Sequence, residues 1–479
     1  MEQLENMRIK LTCLLPILLL LIFIPVDLFA QAGVEVTNAI KDAGNGFSLE
    51  SFFRGMLGIV IILALCFLFS TNRRAISWRV VGFGLLIQLV VALAVLKVPA
   101  VQYFVEFIGK IFIKILDSSN AGTEFLFQSF ITNKVEAGLI NFAFMILPTI
   151  IFFSALTSVL FYYGIIQKVV YVFAWLLEKA LKISGAESLV ASSNVFLGQT
   201  EAPFLIKEYL PKMNRSEMML VMVAGMATMA GGVLAIYTGL LGGIDPANKL
   251  IFAKHLITAS VMAAPGAVVM AKMLVPQTEP IESDIVVTKE KIGANILDAI
   301  ANGTGQGLKL AVNVAAMLIA FIAGIYFLNF IIGKIGDWTH LNNLVAGLTG
   351  GQYTKVSLQF FLGYALSPLT WALGVHSKDI TLVGQLLGEK IILNEMVAYI
   401  SLKDLVASGA FYDQKSIILS VYILCGFANF SSVGIQIGGI GAIAPTQRTT
   451  LSQLGFRALL GGAMASLLSA TLVGIIMGY

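Results

Sequence analysis

Gln199-Thr200-Glu201 sets an amide, a hydroxyl and a carboxylate side by side in a chain that is otherwise mostly apolar. Gly198 precedes the three and Pro203 follows them, which predicts a broken or bent backbone. A carboxylate at membrane depth is costly and marks a functional site. Broken helices that offer free backbone groups near the bilayer midplane are how transporters hold polar solutes. A second carboxylate, Glu395, lies in Asn394-Glu395-Met396-Val397-Ala398-Tyr399. Two more stretches are small and polar inside apolar runs: Gly225-Met226-Ala227-Thr228, leading to Gly231-Gly232, and Gly426-Phe427-Ala428-Asn429-Phe430-Ser431-Ser432. Asn429 and Ser432 share a helix face. Small residues also serve close helix packing in membranes, and for Thr228 both readings stand.

Composition says what must position these groups. Hydrophobic residues make up 58% of the chain and charged residues 12%, about half the ~25% of a soluble protein. The apolar residues come in runs near the ~20 needed to cross a bilayer as a helix. The fold class is therefore an all-α polytopic membrane protein; a transmembrane barrel would show ~10-residue alternating segments instead. The net charge of +4 comes with no basic stripe, so no nucleic-acid partner is expected. Cys13, Cys66 and Cys425 lie in apolar runs, and His255, His340 and His376 are far apart, so no metal-ligand spacing exists. A membrane enzyme would need a nucleophile–base pair or a metal set, which leaves only Glu201 and Glu395 as an unsupported acid and base. A channel would need rings of carbonyls or charges lining a pore.

Along the chain, Arg8 and Lys10 precede an apolar stretch from Leu14 to Val26, and Ala30-Gln31-Ala32 fits a cleavage site. Residues 1–32 read as a signal peptide, or as an uncleaved extra helix, and a bacterial inner membrane is the natural home of either. Residues 33–137 hold N-terminal transmembrane helices at 52–70 and 80–98. Arg73, Arg74 and Arg79 place the loop between these two in the cytoplasm. An amphipathic segment follows, with Phe104, Phe107, Ile111, Phe112 and Ile115 on one face. A first repeat at 138–275 contains spans 138–160, 215–243 and 255–275 and a polar re-entrant hairpin at 186–210. Residues 162–182 are helical but charged enough to lie partly at an interface. A mixed-charge connector at 276–305 runs on into Asn302-Gly303-Thr304-Gly305-Gln306-Gly307, which is weak evidence for phosphate binding because no strand precedes it. A second repeat at 306–479 contains spans 308–335, 415–445 and 455–478 and a hairpin at 355–402. Paired broken segments in two halves point to a binding site between inverted repeats.

These four motifs, in this order, resemble the concentrative nucleoside transporter family from about residue 52 onward. The resemblance implies a homotrimer whose protomer has eight spanning helices, two re-entrant hairpins, and a scaffold distinct from a mobile transport domain. It implies that Gln199, Thr200 and Glu201 read the nucleobase and that Glu395, Asn429 and Ser432 hold the ribose hydroxyls. Phe427 would lie beside the nucleoside. Asn194, Leu197, Thr228 and Gly232 would form a sodium site, Leu197 and Gly232 through backbone carbonyls, and the 99–115 segment would be the family's interfacial helix. The chemistry agrees: glutamine both donates and accepts, as a base edge requires, and a carboxylate makes strong bonds to hydroxyls. No cofactor is implied beyond sodium as coupling ion, with proton coupling through Glu201 or Glu395 as the alternative. One departure from the family is Gly374-Val375-His376-Ser377, where Pro-Trp is common in place of His376-Ser377; this bears on the geometry of the second hairpin.

Overall fold

Long apolar runs, punctuated by residues that cap or break helices, dictate the architecture. The computed structural model describes residues 48–127, 147–243, 245–281 and 293–478, and the described residues contain helices and no strands. The predicted leader at 1–32, and residues 33–47, lie outside them. The helices are α1 (Leu49–Leu68), α2 (Trp78–Lys97), α3 (Pro99–Phe127), α4 (Leu147–Tyr162), α5 (Ile165–Leu181), α6 (Gly185–Ser193), α7 (Arg215–Ala227), α8 (Gly231–Gly242) and α9 (Pro246–Leu274). The second half adds α10 (Ile296–Trp338), α11 (Leu341–Leu348), α12 (Leu358–Ala372), α13 (Ile380–Ile392), α14 (Glu395–Ala407), α15 (Gln414–Leu424), α16 (Phe430–Ile443) and α17 (Arg448–Met477).

Five helical stretches among the described residues are long and apolar enough to cross a membrane: α1, α2, α7 with α8, α9, and α17 with the turn before it. A sixth is added if α4 and α5, bent by 77° at Tyr163-Gly164, count as one. The predicted spans at 308–335 and 415–445 fall in α10 and in α15 with α16, the latter two being short apolar helices. Both halves contain a hairpin helix ending in a break, then a helix broken near its middle and a long closing helix, and the second half adds α11 and α14. Like elements pack together across the halves, α4 on α10 and α9 on α17.

The connector is shorter than its composition suggests. Asn295 Oδ1 accepts from the Asp298 N–H at 2.9 Å and starts α10 at Ile296. Residues 302–307 are therefore helical, which removes the phosphate-loop reading. Packing outweighs glycine's poor helix propensity here. A Cβ on Gly303 would sit 2.8 Å from Ala155 Cα, and one on Gly307 2.7 Å from Ile151 Cα, so both glycines are the contact surface with α4. Gly303→Leu should lower the thermal midpoint of the purified protein in detergent, in line with the ~1–3 kcal/mol of overpacking, whereas Gly305→Leu, which meets nothing within 4 Å, should leave it in place. Equal midpoints for the two variants would refute the packing account.

The 355–402 segment also resolves differently from a single interrupted hairpin. It contains α12 and α13, closely packed and antiparallel, and then α14 beyond a break at Leu393-Asn394. The turn that carries His376 and Ser377 is held from outside. Arg54 of α1 donates from Nη2 to the Trp371 and Val375 carbonyls at 2.6 Å each, and His376 stacks on Tyr412 at 4.7 Å.

Candidate functional site

Each candidate side chain sits at a helix end, and local capping fixes each end. Ser184 and Glu187 form a capping box that starts α6, and Glu187 is also ion-paired with Lys272 of α9. The helix is thus pinned at its start and ends at Asn194, its C-cap. The chain then runs without α-helix to the 3₁₀ turn at Ala202–Ile206. Gln199, Thr200 and Glu201 lie in that interruption. In the second half Asn394 caps α14, accepting from Val397 N–H at 2.9 Å, which makes Glu395 its first residue. Asn429 caps α16, accepting from Ser432 N–H at 2.8 Å. Glu395 therefore sits at a helix N-terminus, where the backbone dipole favours a negative charge.

These ends meet in one hydrogen-bonded chain. Glu395 accepts from Asn429 Nδ2 at 2.9 Å and from the Tyr237 hydroxyl of α8 at 3.1 Å. Gln199 Nε2 donates to Ser432 Oγ at 3.2 Å, and Gln436 Nε2 donates to Gln199 Oε1 at 3.1 Å and to the Met222 carbonyl at 3.0 Å. Four predicted residues, Gln199, Glu395, Asn429 and Ser432, are thus joined across the two halves, and all four are buried. Thr200 packs its methyl against α16, 2.8 Å from where a Cβ on Gly439 would be. Phe427 is half-buried beside the break before α16. Glu201 is placed apart from the chain. Its Oε2 accepts from Gly198 N–H at 3.2 Å, and the residue lines a cavity of about 280 Å³ with Phe153, Ser154, Thr157, Phe196 and Gln306.

The two broken helices cross at their breaks. Gly426 has φ +96°, and a Cβ there would lie 2.4 Å from the Ala227 carbonyl oxygen. A Cβ on Gly225 would lie 2.9 Å from Gln199 Cβ and 2.7 Å from Gln436 Nε2.

The predicted ion residues gather around the first hairpin. Asn194 is buried, its Nδ2 donates to the Val190 carbonyl at 2.9 Å, and its Oδ1 has no hydrogen-bond partner. Thr228 ends α7 and donates to the Ala224 carbonyl at 2.8 Å, leaving its oxygen lone pairs free to face a cation. Gly231 N–H donates to the Phe196 carbonyl at 3.0 Å and ties this break to the hairpin, and Ser260 Oγ of α9 donates to the Val195 carbonyl at 3.3 Å. Leu197 lies in the interruption, buried. Gly232 fits a cation less well: it is inside the first turn of α8, where its carbonyl serves the helix. The unwound carbonyl beside Thr228 is that of Met229.

Three residues of this site escape a reading of motifs. Tyr237, Gln436 and the buried Lys390 lie outside the polar motifs, Tyr237 and Lys390 with one polar neighbour each, Thr238 and Glu389, and Gln436 between two isoleucines. Only the spacing of Gln436 four residues after Ser432 on one helix face could have flagged it.

The chain matches known transporters over most of its length. Family models described as Na+ dependent nucleoside transporter N-terminus and C-terminus match residues 57–130 and 255–474, and one described as nucleoside recognition matches 143–243. An uncharacterized transporter of Haemophilus influenzae is 37% identical over 437 residues, covering 89% of this chain and 98% of that protein. The sodium/nucleoside cotransporter 1 of Rattus norvegicus is 37% identical over 465 residues, covering 94% of this chain and 67% of its own length. The chain belongs to the concentrative nucleoside transporter family. Among solved structures, CNTnw in an inward-facing substrate-bound state superposes with a TM-score of 0.79 at 35% identity, covering 89% of this chain and 99% of that one. As a concentrative nucleoside transporter, the protein belongs with membrane carriers and not with enzymes.

Proposed function

We propose that this nucleoside transporter is a secondary active importer that couples uptake to an inward sodium gradient, as a homotrimer in a bacterial inner membrane. The observation that carries the coupling is the buried, unpartnered Oδ1 of Asn194 at the end of α6. An orphaned amide oxygen of this kind costs about 1–3 kcal/mol. A hard cation that accepts oxygen ligands removes that cost. Thr228 Oγ1 and the carbonyls of Leu197 and Met229 complete an all-oxygen set, in place of the Gly232 carbonyl. The sodium dependence named for the matched family models and for the rat relative supports the same reading.

The nucleoside is read by Gln199, Thr200, Glu201 and Phe427 at the base and by Glu395, Asn429 and Ser432 at the ribose. A bound ion at the first hairpin stabilises the interruption that holds Gln199, so ion and nucleoside favour one state together.

Uridine uptake into proteoliposomes under imposed gradients tests the coupling. Asn194→Ala should raise the sodium concentration for half-maximal uptake on the order of 10-fold or more, as expected for losing one ligand of about 1.5 kcal/mol. Uptake driven equally well by a proton gradient without sodium would assign the coupling to Glu201 or Glu395 instead.

A further inference from the structure

Among the buried charges that the mechanism above leaves unused, Lys390 lies at the break of the second broken helix. Lys390 is on α13, the hairpin helix of the second half, and is fully enclosed. Its Nζ donates to the Ile423 carbonyl, the Cys425 carbonyl and Ser466 Oγ, each at 2.9 Å. An ammonium has three N–H donors, and all three are matched. The acceptors are two carbonyls at the C-terminal end of a broken helix and one hydroxyl, an oxygen set of the kind that holds alkali cations in carriers. The end of a helix also carries partial negative charge that favours a cation.

The two halves place like parts around this point. In the first half, hairpin helix α6 ends beside the break of α7, and Ser260 of the long helix α9 reaches into the junction. In the second half, hairpin helix α13 ends beside the break of α15, whose C-cap is Cys425, and Ser466 of the long helix α17 reaches in. The first junction has an orphaned amide oxygen at Asn194. The second has a covalently tethered ammonium.

We propose that the Lys390 ammonium is a resident cation, holding in the second repeat the place that the coupling ion takes in the first, so that the carrier takes up one sodium per nucleoside. The one-sodium limit rests on the sodium reading above; the resident cation does not. One ammonium and one sodium match in number the two carboxylates of the proposed nucleoside site, Glu201 and Glu395, and each paired charge lowers the cost of burying the other; Glu389, buried beside Lys390 on α13, is outside that count. The lysine charge moves out and back in every cycle and adds nothing to the net charge transferred.

The test is sodium-driven uridine uptake with simultaneous charge measurement, in the full-length protein, for the unaltered chain, Lys390→Ala and Lys390→Met. The unaltered protein should move one charge per uridine with a Hill coefficient for sodium of about 1. Lys390→Ala should lose most uptake at ordinary sodium, recover it when methylammonium is supplied, and show a steeper sodium dependence, with a Hill coefficient rising toward about 2 as sodium enters the vacated oxygens. Lys390→Met, which fills the space without a charge, should lose uptake and not be relieved by methylammonium. Full uptake by Lys390→Met overturns the proposal, as does a Lys390→Ala defect that no cation relieves. If Lys390→Ala accumulates only in membranes prepared with methylammonium, that counts as relief; if it fails to accumulate whatever cation is supplied, the proposal is overturned. Sodium-independent uptake by the unaltered protein would remove the coupling reading and the one-sodium limit, while methylammonium relief would still establish the resident cation.

Discussion

Glu395→Gln is expected to reduce nucleoside uptake on the order of 100-fold or more while leaving the folded protein in the membrane. The carboxylate accepts from two donors at once, Asn429 Nδ2 and the Tyr237 hydroxyl. An amide has one accepting oxygen, so its NH2 group must face one of those donors. The chain of bonds that joins Gln199 through Ser432 and Asn429 to Glu395 would then lose its anionic end. A hydrogen bond to a charged group contributes about 1.5–3 kcal/mol, and losing it while a buried donor goes unmatched brings the total to about 3 kcal/mol or more. Equilibrium uridine binding to purified protein checks this directly. Affinity within a factor of two or so of the unaltered protein would remove Glu395 from the ribose role.

The second large effect falls on folding. Gly426→Ala is expected to prevent stable accumulation, or to lower stability by about 2–5 kcal/mol. Two terms add: a positive φ that L-residues resist by ~1–2 kcal/mol, and a Cβ driven against backbone at about 1–3 kcal/mol or more. The atom it meets is the Ala227 carbonyl oxygen, which cannot rotate away as a side chain would. Gly434→Ala is the control: it meets nothing within 4 Å and improves helix propensity, so it should be neutral or mildly stabilising. Size-exclusion profiles and thermal midpoints in detergent compare the two, and matching behaviour would mean that the crossing of the breaks tolerates a side chain.

What the sequence made legible was local. Apolar runs, the interruption at Gly198–Pro203 and the capping asparagines Asn394 and Asn429 each announce themselves through neighbouring residues, and their order carried the family resemblance. The site's cross-links were not legible, because they join residues far apart: Gln436 to Gln199, Tyr237 to Glu395, Lys390 to Ser466. No periodicity encodes such pairings. Residues 296–305 fall in the predicted connector yet are helical, for a related reason. Glycine signals a loop by its own propensity, and only the presence of α4 at van der Waals distance makes it a helix surface. The resemblance points to Gly232 for the ion, and because that residue lies inside the first turn of α8 the proposed ion site takes the Met229 carbonyl in its place.

The near-complete burial of α9 has a consequence for how the protein is made. This helix carries Lys254, His255, Thr258, Ser260 and Lys272 to the interior, all enclosed in the finished fold. Its partner α17 is translated much later. At ~5–20 residues per second the interval is roughly 9–35 s, during which α9 has no α17 to cover it. Lipid is a poor host for those polar groups. The nascent α9 therefore has to be sheltered by insertion machinery, by α2, or by waiting at the bilayer surface. Biogenesis, more than final stability, is the stage at which substitutions in α17 would first be felt.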